Sequence, residues 1–191
     1  MNKFKETHNE YPILEIIKNR WSPRAFTKRA VNEEDMHSLF EAARWSASSS
    51  NEQPWQYIYA YSGTDGFEQI WNCLVPGNQP WTKDAAVLVI AMARKTFEHN
   101  GKENNCATHD LGLANSNMLL QAISMGIFTH PMAGFDKNKV METFNVSDDL
   151  MPVCAIAIGY MGDAERLDEP YKSREFADRK RKTIEEFIKK V

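Results

Sequence analysis

The sequence predicts an α+β domain in which helices cover a central sheet, and three stretches carry that expectation. Ala85 to Ala93 is a continuous apolar run, the pattern of a strand buried on both faces. Val153 to Tyr160 reads as a second central strand. Between them, Thr108 to Gly126 reads as one long helix with two apolar stripes, Leu111, Ala114, Met118, Ala122 and Met125 on one face, Leu113, Leu120 and Ile123 on another. A helix with two such faces packs on its own sheet with one and needs cover for the other, from a further layer or a second subunit. The same pattern fits a central core helix of a monomer. Gly126 ends it.

The remaining elements follow in order. Tyr11 to Arg20 places Ile13, Leu14, Ile16 and Ile17 at helical spacing, and Pro23 breaks the pattern in a polar, basic turn. Asn32 caps a helix that buries Met36, Leu39, Phe40 and Ala43 and stops near Trp45. Ser46 to Pro54 is a loop rich in hydroxyl and amide groups, and it feeds a strand from Trp55 to Tyr61. Thr64 caps a helix carrying Phe67, Ile70, Trp71 and Leu74, after which Pro76, Gly77 and Pro80 mark an irregular loop. Ile127 to Asp136 is a short strand leaving through a Pro-to-Gly loop, and a small helix with Val140, Met141 and Phe144 follows. Beyond Tyr160 the chain is highly charged, with Ile184, Phe187 and Ile188 favouring docking over disorder.

Its 191 residues, 42% apolar and 26% charged, suit one domain with a real core. A net charge of −3 argues against a protein that coats nucleic acid, and the basic run Arg179 to Lys182 is too short to reverse that. Cys73, Cys106 and Cys154 are far apart, so they read as reduced, mostly buried thiols rather than a disulfide framework or a thiolate metal site. The first residues lack a long apolar core and Ala85 to Ala93 is too short to cross a bilayer, which predicts a cytoplasmic protein with no membrane partner.

Three polar stretches are candidates for chemistry: Arg20 to Arg24, Ser48 to Gln53 and Arg179 to Lys182. Guanidinium forks and hydroxyls together suit a phosphate ester. Each stretch alone reads equally as a loop or a solvated face. Nucleotide-binding glycine loops, nucleophile elbows and zinc-protease motifs are absent. Cys106 and His109 are too few ligands for zinc, so no metal is expected. His130 is the histidine kept as a pocket candidate, against a packed structural role, and Trp71, Trp81 and Phe97 are candidate cleft walls that core packing explains equally well.

Read in order, these stretches resemble the FMN-dependent nitroreductase family along nearly the whole chain. Arg20-Trp21-Ser22-Pro23-Arg24-Ala25-Phe26 is similar to the family's R-x-S-x-R-x-F turn, which implies that Arg20, Trp21, Ser22 and Arg24 meet the FMN phosphate and the polar edge of the flavin. Ser48-Ser49-Ser50-Asn51-Glu52-Gln53-Pro54-Trp55 resembles the S-S-x-N-x-Q-P-W loop, so Ala47, Ser48, Ser49, Ser50, Asn51 and Gln53 are implied to approach FMN from the opposite subunit. Asp110-x-Gly112-x-Ala114 through Ala122 resembles the family's interface helix. Pro131, Met132, Ala133 and Gly134 fall in the loop whose backbone amides meet flavin N5 and O4, Asn78 falls at a ring contact, and Arg179 and Arg181 fall at the late phosphate-binding cations.

The resemblance implies a three-layer fold: a mixed, mainly antiparallel sheet flanked by helices, with the long helix at a homodimer interface. It implies one domain over 1–191, of which 163–191 wraps the partner subunit. NADH or NADPH is the implied donor, and a small electron-poor acceptor such as a nitroaromatic or quinone replaces it in the same cleft, a ping-pong hydride transfer through flavin N5. The ring carries the chemistry, so no side chain is assigned a catalytic role. Arg20 or Arg24 near N1 and O2 would favour reduced flavin. The alternatives are dehalogenase or enone-reductase chemistry on the same fold, and an FMN-binding module without turnover. Two positions depart from the pattern: Ala47 stands where proline is frequent and Trp81 where lysine is frequent, with Lys83 close by in sequence.

Overall fold

A computed structural model describes residues 5–191 of the chain. Its four strands are β1 (Trp55–Tyr61), β2 (Val87–Arg94), β3 (Phe128–Met132) and β4 (Leu150–Gly159), in the order β1-β2-β4-β3, with every pairing antiparallel. The helices are α1 (Glu15–Asn19), α2 (Glu33–Arg44), α3 (Asp65–Asn72), α4 (Gln79–Thr82), α5 (Ala107–Ser124), α6 (Lys137–Thr143) and α7 (Tyr171–Phe176).

The apolar run of β2 explains the layering. Val87, Val89, Ala91 and Ala93 join one core with Met36 and Leu39 of α2 and Leu111, Ala114, Met118 and Ala122 of α5. Leu88, Ile90 and Met92 point the other way, into a second core with Phe67 and Ile70 of α3, Val140 of α6 and Trp81 of α4. Both faces of the strand are dry, so no alternation is required of it. Helices therefore sandwich the sheet, which is the three-layer α+β arrangement expected.

Local signals set most element ends. Asn32 Oδ1 accepts from Asp35 N at 2.6 Å, Thr64 Oγ1 from Phe67 N at 3.3 Å and Asp136 Oδ1 from Lys139 N at 3.0 Å, each satisfying a donor at a helix start. Gly126, at φ +71°, turns the chain after α5 in a conformation that favours glycine. Pro131 lies within β3, which is tolerated because β3 is an edge strand.

Three expectations need correction. The segment around Pro80 is the short helix α4 rather than an irregular loop, because proline suits a first helical turn whose N–H groups have no partner in any case. Helix α1 covers only Glu15–Asn19, not Tyr11 to Arg20, and leaves Leu14 66% exposed. Cys106, free like the other cysteines, is exposed at the start of α5 rather than buried. On the first stripe Leu111, Ala114, Met118 and Ala122 are fully buried and Met125, just past the end of α5, is partly buried, whereas Leu113 is 38% exposed. Among the described residues no helix is long and apolar enough to cross a membrane.

The C-terminal segment packs on the N-terminal one. Glu175 of α7 is buried, and its carboxylate accepts from the backbone N–H groups of Arg24 at 3.0 Å and Ala25 at 3.3 Å. Lys5 Nζ donates to the Ala177 carbonyl at 2.6 Å. Farther on, Phe187 and Ile188 stay exposed.

Candidate functional site

The turn at residues 20–24 is held from two sides. His130 of β3 donates from Nδ1 to the Pro23 carbonyl at 2.9 Å, and its ring lies 4.4 Å from that of the buried Trp81. Burial, opposed by the Pro23 hydrogen bond and aided by the charges of Arg24 and Arg20, pushes the His130 pKa down to about 4. This histidine is neutral at pH 7, with its proton on Nδ1. From the tail, Arg179 spends its guanidinium on the chain: Nη1 donates to Thr7 Oγ1 at 2.7 Å and the Lys18 carbonyl at 2.6 Å, and Nη2 to the Arg20 carbonyl at 2.9 Å.

Arg20 and Arg181 are differently placed. With Arg179 they line a cleft of about 570 Å³ whose other walls are residues 7–11, Ile13, Ile17 and residues 180–184, but their guanidiniums are not spent on tying the N-terminal segment. Burial, and then the charge of Arg181, hold the Arg20 guanidinium below its usual range. The charge that weighs on Arg20 is thus another cation, and among the described residues the Arg20 guanidinium donates to Ser22 Oγ alone, from Nη1 at 3.3 Å. The half-buried Arg20 guanidinium, the exposed Arg181 guanidinium, whose Nη1 donates to the Lys180 carbonyl at 2.7 Å, and the Ser22 hydroxyl have no salt bridge to a carboxylate among the described residues and form a donor set suited to a phosphate dianion. Arg24 turns elsewhere: its Nη1 is 3.9 Å from Glu175 Oε2, and it lines a separate cavity with Phe26, Trp81 and Tyr171.

The loop after β3 adjoins the segment before α4. Val75 N and Asn78 Nδ2 both donate to the Gly134 carbonyl, at 3.1 and 2.9 Å. Ala133 is exposed, and neither its N–H nor that of Gly134 bonds to another described residue. Free backbone N–H groups at a surface suit electronegative atoms of a ligand ring. Trp81, where the family pattern often has lysine, packs between Phe26 and His130, and Lys83 Nζ lies 4.8 Å over the Trp71 ring. Trp71 Nε1 donates to the Gln79 carbonyl at 2.8 Å, and Phe97 lies in the loop after β2, with its ring 5.5 Å from His99. The buried Trp21 Nε1 has no hydrogen-bond partner.

Ala47 to Gln53 form a second, separate group. Ser50, Asn51 and Gln53 all have positive φ, at 55°, 57° and 53°, a region costly for residues with a Cβ and kept only where the surroundings enforce it. Several contacts enforce it here. The buried Asp110 of α5 accepts from Ser49 N at 2.8 Å, Ser48 Oγ from Gln53 N at 3.0 Å, and Glu52 from Glu98 N. No hydrogen bond or ion pair among the described residues joins this loop to Arg20–Arg24, Asn78 or Ala133–Gly134 of the same chain.

Asp110 is the anchor of the loop. Asp110→Ala is expected to lower the unfolding free energy by about 2 kcal/mol, the worth of a buried charged hydrogen bond, read from denaturant midpoints. It also frees the Ser49 amide to exchange with solvent, while an unchanged Ser49 rate rejects the anchor. Sequence reading quoted Asp110 in its motif without this role. Glu175 was missed altogether, since nothing in a charged tail marks one carboxylate as buried.

The model of the nitroreductase family matches residues 17–75 and 66–160. A solved oxidoreductase containing FMN is 30% identical, with a TM-score of 0.92 over 98% of this chain and 96% of that one. A nitroreductase family protein of Clostridium difficile shares the fold, with a TM-score of 0.72 at 21% identity over 94% of this chain and 98% of that one. YdgI of Bacillus subtilis, provisionally named an NAD(P)H nitroreductase, is 25% identical over 187 residues, 79% of this chain and 89% of that one. An uncharacterized 15.4 kDa protein of Mycolicibacterium smegmatis is 35% identical over 80 residues, 42% of this chain, which spans about half (54%) of that relative. With the family model spanning most of the layered core and the turn, loop and helix described above, the chain belongs to the nitroreductase family.

Proposed function

We propose that this chain is an FMN-dependent NAD(P)H oxidoreductase that passes electrons to small electron-poor acceptors such as nitroaromatics or quinones. The observation that carries the proposal is that Arg20 and Arg181 line one cleft with no salt bridge to a described carboxylate, a donor set that matches a phosphate ester. FMN, when bound, supplies a ring that takes a hydride from NADH or NADPH and gives it to an acceptor that follows in the same cleft. The chain's own task is to bind and orient. Arg20, Ser22 and Arg181 hold the phosphate, and the N–H groups of Ala133 and Gly134 face the ring edge. The names of its relatives agree: one solved neighbour is an oxidoreductase containing FMN, and YdgI is provisionally an NAD(P)H nitroreductase.

The active unit in this proposal is a homodimer. Leu14, Trp45 and Leu113 are large apolar side chains left exposed, a cost that a second copy removes. The Ser48 to Gln53 loop, which lines no part of the Arg20 cleft of its own chain, then completes the partner's site. Phe187 and Ile188 likewise gain cover if residues 163–191 reach across the partner.

The test is the visible spectrum of the purified protein, with any cofactor released and identified, before and after anaerobic addition of NADH or NADPH. Flavin bands matching FMN that bleach with a nicotinamide are expected. Colourless protein that takes up no added FMN refutes the reading, and FMN bands that neither nicotinamide bleaches refute the donor.

A further inference from the structure

We propose that Asn78 is a positioning residue that acts through the Gly134 carbonyl: it holds the Ala133–Gly134 backbone so that the free Gly134 N–H faces the ring. The proposal rests on the FMN reading above and adds what sets the ring's electron affinity. Asn78 was expected as a ring contact; its Nδ2 donates to the Gly134 carbonyl, while its Oδ1 accepts from no described residue.

The geometry is tightly determined. Asn78 is fixed by its own backbone, its N–H donating to the Val75 carbonyl at 2.8 Å and its carbonyl accepting from Thr82 Oγ1 at 2.8 Å. Thr82 is fully buried. From this seat Asn78 Nδ2 donates to the Gly134 carbonyl at 2.9 Å, and a carbonyl acceptor requires the NH₂ end of the side chain. Val75 N takes the other lone pair at 3.1 Å. Beside it, Leu74 bridges Phe135, and Asp136 N donates to the Cys73 carbonyl at 2.8 Å. Any side chain at Gly134 collides with this seat, because a Cβ there lies 2.6 Å from Asn78 Nδ2 and 2.9 Å from Val75 Cγ2. With the Gly134 carbonyl filled on both sides and Phe135 N donating to the Ala133 carbonyl at 3.1 Å, the Ala133–Gly134 and Gly134–Phe135 peptide planes have one orientation, which sets the direction of the Gly134 N–H; the Ala133 N–H belongs to the Met132 peptide at the end of β3. The N–H groups of the exposed Ala133 and the half-buried Gly134 bond to no other described residue.

Donors aimed in advance at atoms that gain negative charge favour the charged state without reorganising. A ring that gains electrons beside fixed N–H donors is therefore easier to reduce, and loosening the donors reverses this. Asn78→Ala removes the clamp, and Asn78→Asp keeps its shape but offers no N–H. Both are expected to cut the preference for reduced over oxidised FMN about tenfold, which is a midpoint potential about 30 mV lower for a two-electron couple. Oxidised FMN binding stays within about twofold, since Arg20 and Arg181 are untouched.

The decisive experiment pairs that potential with amide hydrogen exchange of the FMN-free protein. Faster exchange at Val75 and Phe135 in both variants, with the lowered potential, is the expected result. Unchanged exchange at both amides overturns the clamp. Loss of oxidised FMN binding with unchanged exchange also overturns it, because Asn78 is then a direct ligand. Wild-type protein that takes up no FMN overturns the functional reading and the flavin half of this proposal, while the exchange measurement still decides the clamp.

Discussion

Arg20→Ala is expected to weaken FMN binding about 10- to 100-fold while leaving riboflavin binding unchanged. A charge-assisted hydrogen bond to phosphate is worth about 1.5–3 kcal/mol, which sets that range. Riboflavin lacks the phosphate, so it isolates the contact. Without FMN the same variant gives up the 3.3 Å hydrogen bond to Ser22 Oγ, so its stability is expected to fall by no more than about 1 kcal/mol. Arg20→Lys keeps the charge but loses the planar fork, and falls between wild type and alanine. Equal loss of riboflavin and FMN would place Arg20 at the ring instead, and unchanged FMN affinity would place the phosphate elsewhere. Arg179→Ala makes the contrast: its guanidinium ties Thr7, Lys18 and Arg20 together, so its loss frees the tail even without ligand.

His130 carries the second large effect, on stability against pH. In the unfolded chain it titrates near its ordinary value of 6.5, and in the folded protein burial pushes it down to about 4. Between these values the unfolded state binds the extra proton. Its contribution is therefore complete above pH 6.5 and is lost as pH falls through 6.5 to 4, amounting to about 3 kcal/mol. His130→Gln retains an N–H for the Pro23 carbonyl and does not titrate. Unfolding free energies of wild type and variant, measured from pH 7 to pH 4.5, should differ progressively, with the wild type losing about 2–3 kcal/mol more. A difference that does not change with pH rejects a buried neutral imidazole.

Much of the scaffold was legible because its causes are local. The strand Trp55–Tyr61 has the bounds expected from its aromatic and β-branched composition. The caps at Asn32 and Thr64 follow from side chains that reach only their own first turn. The long helix was legible from its spacing, and its buried stripe is the one that repeats Leu111, Ala114, Met118 and Ala122. Ser46 to Pro54 was legible as a loop from its polar composition, but its run of positive φ was not. Serine and asparagine merely tolerate that conformation, and what enforces it is Asp110, distant in sequence.

Function was legible in the same uneven way. The sequence by itself determined which groups the chain possesses: arginines and hydroxyls in separate stretches, a two-faced helix, two apolar strands and no acid–base constellation. Tertiary structure alone decided how each is used. Of the arginines marked as phosphate ligands, Arg179 ties the N-terminal segment, Arg24 faces Glu175, and Arg20 and Arg181 line the cleft where the proposed phosphate would bind. Asn78 spends its amide on Gly134. The physical reason is that periodicity and capping act within a few residues, whereas the partner of a hydrogen-bond donor is whichever acceptor the packed chain brings within about 3 Å.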